Sequence, residues 1–194
     1  RVSEFRFFRV DAGPTHTCAV SFDKRLFCWG DDSFGKLGNG AAEGTGQPDE
    51  IAVESSDGAG NVRFEHVIVG EVATCAIPAF TTGGAPSELY CWGRGELFEN
   101  GLVDPNNMMS FEPRTSPEVV SWPSFGTASP DSLKSASLGS RHGCVLAADS
   151  LYCWGLGDYG QLGRGDFTSG SIDGNNEIAT PRPALLLDMA GGPG

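Results

Sequence analysis

Basic residues, long apolar runs, histidines and glycosylation sequons are what this 194-residue chain has least of. Thirteen Lys and Arg stand against 25 Asp and Glu, for a formal net charge of -12 and a pI near 4.5. A surface of that sign repels phosphate backbones, so nucleic acid is not an expected partner. A membrane-crossing helix needs about 20 successive apolar residues, and no such run occurs, so no membrane insertion is expected. No Asn-x-Ser/Thr triplet is present, and no secretory leader, which a mature or excised chain would not carry. The 3 histidines form no evident constellation. No nucleophile motif, phosphate loop or pair of catalytic carboxylates stands out, so neither an enzyme nor a cofactor is expected. A helical period is missing throughout.

What is present is a repeat. Cys-Trp-Gly closes an apolar run three times, at Leu26-Phe27-Cys28-Trp29-Gly30, Leu89-Tyr90-Cys91-Trp92-Gly93 and Leu151-Tyr152-Cys153-Trp154-Gly155. A second cysteine stands upstream each time, in Ala12-Gly13-Pro14-Thr15-His16-Thr17-Cys18, Val69-Gly70-Glu71-Val72-Ala73-Thr74-Cys75 and Leu138-Gly139-Ser140-Arg141-His142-Gly143-Cys144. These positions use all 6 cysteines. After Cys-Trp-Gly, the Gly30 to Gly40 stretch matches Gly155 to Gly165 position by position, while the second copy, Gly93 to Gly101, is two residues shorter and lacks the middle glycine. The period is about 60 residues, above the usual span of repeat architectures.

Between its two cysteines each copy reads as a β-hairpin: β-prone apolar residues, a polar turn, then more of the same. A turn at Ala148-Asp149 sets Leu146 opposite Leu151, Val145 opposite Tyr152 and Cys144 opposite Cys153. Counted from a two-residue loop, the cysteines fall on a non-hydrogen-bonded pair, whose Cα atoms approach to about 4.5 to 5.5 Å, within reach of a disulfide. The first copy does the same about Phe22-Asp23-Lys24, and in the second the turn swells between Pro78 and Ser87 as a surface insertion. The expected pairs are Cys18 with Cys28, Cys75 with Cys91, and Cys144 with Cys153. Each closes a short loop and stabilises by no more than about 3 kcal/mol. Six pairable cysteines point to an oxidising compartment, secreted or at the cell surface; six reduced thiols in a cytosolic protein are the alternative.

The Leu-aromatic-Cys-Trp run does not alternate, so both faces of that strand must be covered. Stacked antiparallel sheets from one repeated unit fit an all-β propeller better than a two-layer sandwich. The ladder Ala-Gly-x-x-His-Thr-Cys, hairpin, Cys-Trp-Gly, Gly-x-Leu-Gly-x-Gly resembles the repeat of the regulator of chromosome condensation family, in the variety with cysteines in the hairpin. The resemblance implies a propeller, usually of seven four-stranded blades. The founding member's exchange activity toward a small GTPase on chromatin is not expected of an acidic, disulfide-bearing relative. The second copy departs at Ala73, where the others have His16 and His142, and in its shortened glycine loop, so its blade is expected to be irregular.

Residues 1–194 are read as a single partial propeller domain, with repeats at about 1–61, 62–131 and 132–194. Three blades do not close a ring, so the chain is expected to belong to a longer propeller, or copies complete one by association. The Pro-containing segments Gln47 to Val53, Glu112 to Val120 and Thr180 to Leu187 are read as strands that open the following blade.

His16 with Cys18 and Cys28, or His142 with Cys144 and Cys153, has zinc-ligand types, but each set has three members and the second copy lacks the histidine, so no metal is expected and a blade histidine bonding a neighbouring loop is favoured. His66 reads as an ordinary strand residue. Asp173-Gly174-Asn175-Asn176-Glu177 lacks the spacing of a calcium loop. Asp31 and Asp32 read as turn residues. The expected function is a non-catalytic protein-interaction or assembly module outside the cell, its partner another protein or the remaining blades of a longer chain. The candidate contact loops carry Asp31, Phe34, Arg94, Glu96, Asp158 and Tyr159, with Trp122 in the long connection after the second blade. Phe34 and Tyr159 occupy equivalent places; packing under their own loops is favoured over partner anchoring. A carbohydrate-binding propeller is one rival reading and predicts that Phe34, Tyr159 and Trp122 are exposed; an enzyme on a propeller scaffold is the weaker rival and predicts a convergent polar pocket with shifted titrating groups.

Overall fold

A computed structural model describes residues 5–41, 43–54, 60–79, 88–94, 113–120, 133–147, 150–163 and 182–183. Among the described residues twelve strands form three four-stranded antiparallel sheets. The first contains β1 (Phe7–Ala12), β2 (His16–Ser21), β3 (Leu26–Gly30) and β4 (Thr45–Ile51). The second contains β5 (Phe64–Val69), β6 (Ala73–Pro78), β7 (Tyr90–Gly93) and β8 (Arg114–Val119). The third contains β9 (Leu133–Leu138), β10 (His142–Ala147), β11 (Ser150–Gly155) and β12 (Arg182–Pro183). Strand order within each sheet follows the sequence, so every sheet is a meander and the chain is all-β.

Register repeats as faithfully as sequence does. His16, Ala73 and His142 stand opposite Gly30, Gly93 and Gly155, and each cysteine of a hairpin stands opposite its mate. The three sulfur pairs lie at bonding distance, 2.12, 2.06 and 2.11 Å. In the third hairpin Leu146 meets Leu151 and Val145 meets Tyr152, as expected, while residues 148–149 lie outside the described residues. The first strands share one irregularity: β1 slips between Phe7 and Arg9, β5 between Phe64 and His66, and β9 between Leu133 and Ser135. A bulge in the same place in each blade raises the local twist of the strand.

Two sequence expectations change. The second blade keeps the four-stranded meander of its neighbours, and its bulge at Cys91/Gly93 matches that at Cys28/Gly30 in the first, while its shortened glycine loop lies outside the described residues. Lacking the histidine leaves strand pairing untouched, because pairing is a backbone property. Second, the Pro-containing segments do not open the following blade. β4 pairs with β3, β8 with β7, and β12 with β11, so each closes the blade whose Cys-Trp-Gly precedes it. Pro48 and Pro117 sit within the slipped stretch of an edge strand, where a missing N–H costs no ladder bond.

Two cores hold the stack together. One unites Cys18, Val20, Leu26, Cys28, Leu37 and Ile51 of the first blade with Phe64, Val67, Val69, Ala76, Tyr90 and Trp92 of the second. The other unites Ile68, Cys75, Ile77, Leu89, Cys91 and Val120 of the second blade with Leu133, Val145, Ala147 and Trp154 of the third. From Leu89 into β7 the residues alternate: Tyr90 and Trp92 face the first blade, Leu89 and Cys91 the third. That alternation explains an apolar run without polar partners, since each face of the strand meets a different blade. Near the common axis the first turns touch. A Cβ on Gly13 would lie 2.3 Å from the Gly70 carbonyl oxygen, and one on Gly70 would lie 3.0 Å from that of Gly139. Glycine is required here for backbone approach.

Candidate functional site

Chain direction puts the turns at 13–15, 70–72 and 139–141 and the loops at 31–44 and 156–163 at one end of the blades. These loops perform two separable tasks. Their inner side joins blades, and their tips face solvent.

The joining side is built around Lys36. Leu37 N donates to the buried Asp32 Oδ1 at 2.8 Å, Gly35 N donates to Asp32 O, and Gly38 N donates to Gly35 O, which folds residues 32–38 into a tight double turn. Gly35 and Gly38 have φ of 70° and 81°, in the left-handed region. The fold aims the Lys36 carbonyl at the second blade, where it accepts from Trp92 Nε1 at 2.9 Å and from Thr74 Oγ1 at 2.8 Å. Gly38 lies on the Trp92 indole, so close that a Cβ would fall 2.6 Å from Nε1. His16 Nε2 lies 2.7 Å from Thr74 Oγ1. Thr74 gives its one hydroxyl proton to Lys36, so His16 Nε2 carries a proton and donates to it. The remaining nitrogen, Nδ1, is buried with no partner. A second proton there would be a buried charge with no acceptor, and burial, aided by the Lys36 ammonium, holds the His16 pKa down at about 4.

The Lys36 side chain is buried, with Nζ 2.6 Å from Asp31 Oδ2 and donating to Thr15 Oγ1 at 2.7 Å. Asp31 Oδ1 accepts from Ser33 N and Ser33 Oγ. Hydrogen bonds from Lys36 and Ser33 lower the Asp31 pKa to about 2. Both Asp31 oxygens are thus engaged inside the loop. Asp32 Oδ2 has no hydrogen-bond partner, and burial raises the pKa of that carboxyl. In the first blade the histidine of the repeat is a blade-to-blade hydrogen-bonding residue: His16 Nε2 is taken by Thr74, while the sulfurs of Cys18 and Cys28 face each other.

The tips differ from expectation. Phe34 and Tyr159 do not pack beneath their own loops: Phe34 is 39% exposed and Tyr159 is 85% exposed. The Gly-x-Leu-Gly turn is filled from within by Leu37 and Leu162, which are 0% and 2% exposed, so no room is left for the aromatic ring. The Arg94 guanidinium of the second blade sits 4.9 Å above the Phe34 ring, bringing two of the predicted contact residues together. Asp158 is exposed beside Tyr159. Glu96, Trp122 and the 173–177 cluster lie outside the described residues.

Two clefts run along the axis. One of about 280 Å³ is bounded by β1, β5 and β9 and carries Asp11 and His66; another of about 480 Å³ lies at the mouth formed by the three glycine turns. Asp11 Oδ2 accepts from Val69 N at 2.7 Å, so this carboxylate ties β1 to β5. Burial lowers the His66 pKa. Among the described residues no group of three His, Cys, Asp or Glu is arranged to hold a metal ion. What sequence reasoning missed is the joining role of Lys36 and Thr74. Lys36 acts through its carbonyl, which every residue possesses, and no side-chain pattern announces that.

Comparison with known proteins agrees with this architecture. Two profiles of the Regulator of chromosome condensation (RCC1) repeat match, one over residues 9–36 and 134–161 and one over residues 149–186. Human E3 ubiquitin-protein ligase HERC2 is 27% identical over 159 residues, 80% of this chain and 3% of its own length. The Ultraviolet-B receptor UVR8 of Arabidopsis thaliana is 27% identical over 161 residues, 82% of this chain and 32% of its own. Among solved structures Prp20p of Saccharomyces cerevisiae, studied for its binding to Gsp1p and histones, superposes with a TM-score of 0.70 at 21% identity, covering 95% of this chain and 39% of that one. The chain therefore spans less than two fifths of each of these proteins.

Proposed function

Because this chain is built of RCC1-type propeller repeats, we propose that it is a protein-interaction module whose residues 1–194 form one partial propeller domain and which presents its loop tips to a protein partner outside the cell. The observation that carries the reading is Tyr159, a large aromatic 85% exposed at the tip of a loop held rigid by two internal backbone hydrogen bonds. A rigid loop loses little entropy on binding, and an exposed tyrosine is the residue type that anchors interfaces. Phe34 with Arg94, and Asp158, complete the surface at the same end. Yeast Prp20 offers a precedent as a propeller of this kind bound to a protein, Kap60.

The extracellular setting rests on the three cysteine pairs, which a reducing cytosol would keep open. The non-catalytic part of the reading is supported by Asp11, which ties strands, and by His16, which ties blades. Two measurements test the proposal. Intact mass after alkylation without reductant should show no added groups, and six alkylated thiols would overturn the extracellular assignment. Tyr159→Ala should weaken retention of the partner by about tenfold, the effect of losing one aromatic anchor, without changing thermal stability. A glycan array addresses the second reading, which Tyr159 exposure also favours: a consistent glycan hit lost in Tyr159→Ala would replace the protein partner with a sugar.

A further inference from the structure

The chain is acidic, with 13 Lys and Arg against 25 Asp and Glu, yet one end of its first blade is not. The turn at 22–25 and the start of β1 lie at the opposite end of the blades from Tyr159, joined to each other by Phe22 N donating to Arg6 O at 2.7 Å. Phe64 N donates to Lys24 O there, which brings the neighbouring Arg63 to the same end. Arg6, Arg9, Lys24, Arg25 and Arg63 thus gather against Asp23, Glu50 and Glu65. These carboxylates are already taken: Glu65 holds Lys24 at 2.5 Å from one blade to the next, and Asp23 and Glu50 hold Arg25 at 2.7 and 3.0 Å. Arg6, Arg9 and Arg63 are exposed and have no ion pair among the described residues.

What Arg6 and Arg9 have instead is aromatic. The Arg6 guanidinium lies 5.1 Å from the centre of the Phe22 ring, and that of Arg9 5.8 Å from the centre of the Phe8 ring. Phe8 and Phe22 pack on each other at 5.7 Å, and Lys24 Nζ stands 4.1 Å from the Phe8 centre. Phe8 also packs against the core that unites the first and second blades, so the ledge is anchored over that joint. Phe22 remains 60% exposed. A guanidinium stacked on a ring keeps its N–H edge free for a carboxylate, and the stack holds it in place, so little entropy is lost when it pairs.

We propose that the ledge formed by Arg6, Phe8, Arg9 and Phe22 is a second interaction surface, which takes an extended acidic segment of a protein partner with two carboxylates flanking an aromatic side chain. Charge supplies the attraction, since cations left unpaired in an acidic protein select an anionic ligand. The rings select what lies between the charges. In an extended chain residues i, i+2 and i+4 point to one side at steps of about 7 Å, so an aromatic at i+2 covers the exposed Phe22 ring while carboxylates at i and i+4 reach Arg6 and Arg9. A sulfated sugar would use the cations and leave the ring uncovered, which favours the peptide. This surface lies at the other end of the blades from Tyr159, so it stands or falls apart from the partner reading.

Fluorescence anisotropy of the oxidised chain with a labelled peptide containing Glu-Ser-Phe-Ser-Glu tests it. The peptide should bind saturably and be released as salt rises. Arg6→Gln, Arg9→Gln and Phe22→Ser, all at exposed positions, should each weaken binding about tenfold, as should Gln for Glu or Ser for Phe in the peptide, while Tyr159→Ala leaves it unchanged. His66 supplies a readout that needs no variant. Burial, then the charges of Arg9 and Lys24, hold its pKa down against the opposing charge of Glu65, so a carboxylate bound at Arg9 should raise it. Absence of saturable binding, binding indifferent to the three substitutions or lost in Tyr159→Ala, or binding that leaves His66 unmoved overturns the proposal. So does tighter binding of a heparin oligosaccharide lost in the same three variants, which would assign the ledge to a sulfated sugar.

Discussion

The second blade and its two neighbours are made from the same strands in the same register, yet they live in different surroundings. Both faces of the second blade are buried, one in each core, whereas the first and third have one face each in a core. Equivalent residues therefore report what a neighbouring blade contributes. Trp92 and Trp29 differ in burial, and so do Val67 and Val10, or Leu89 and Leu151, the last pair at 0% and 39% exposure. Local sequence cannot account for these contrasts, since the strand context is shared. They come from packing against a neighbouring blade.

The tryptophans make the largest test of that contrast. Trp92→Ala removes a fully buried ring and its hydrogen bond to Lys36, and should cost about 3 to 5 kcal/mol in urea unfolding. Trp29→Ala, measured under dilute conditions, should cost less than half as much, because water already reaches that ring. Equal losses would break the comparison and show that blade edges are as well packed as blade interfaces.

Acid sharpens it next. The His16 pKa is about 4 in the folded chain against about 6.5 when unfolded, so the unfolded state takes up the proton first. Stability from the neutral ring is complete above pH 6.5 and is lost as pH falls toward 4, at a limiting slope of about 1.4 kcal/mol per pH unit. His66 and His142, also lowered by burial, act in the same direction. Asp31, lowered to about 2, acts only below this window. His16→Gln keeps a donor for Thr74 and removes the titration, so unfolding free energy followed from pH 7 to 4 should flatten. Resonances of His142, at the free edge, should titrate at higher pH than those of His16; a reversed order would mean that the edge histidine is the better buried one.

Much of the scaffold was legible from residue order alone. Non-alternating runs such as Leu89-Tyr90-Cys91-Trp92 required cover on two faces, and the two cores supply it. Hairpin symmetry set the cross-strand register of the third blade. Assignment of the Pro-containing strands to the following blade failed because sequence spacing does not say which neighbour an edge strand joins; the hydrogen bonds from β3 to β4 decide that. The site was less legible. Aromatic side chains at loop tips read as packed more readily than as free, and the outcome turned the other way because Leu37 and Leu162 are the residues buried in the turn. Main-chain acceptors such as Lys36 O leave no mark in a sequence.

The smallest expected effect isolates one hydrogen bond of the joint. Thr74→Val keeps shape and volume, but leaves His16 Nε2 without an acceptor and withdraws one donor from the Lys36 carbonyl, which Trp92 still supplies. Stranding one buried polar group should cost about 1 to 2 kcal/mol. Thr17→Val changes the equivalent residue on a face that no blade covers among the described residues, and there the loss should stay within about 0.5 kcal/mol. The two threonines occupy the same strand position, one before each hairpin's first cysteine, so propensity and local packing cancel in the difference. A gap near 1 kcal/mol between the variants, read by urea unfolding, measures what the loop of a preceding blade adds through this bond. A gap near zero would assign the joint's strength to the Trp92 contact alone.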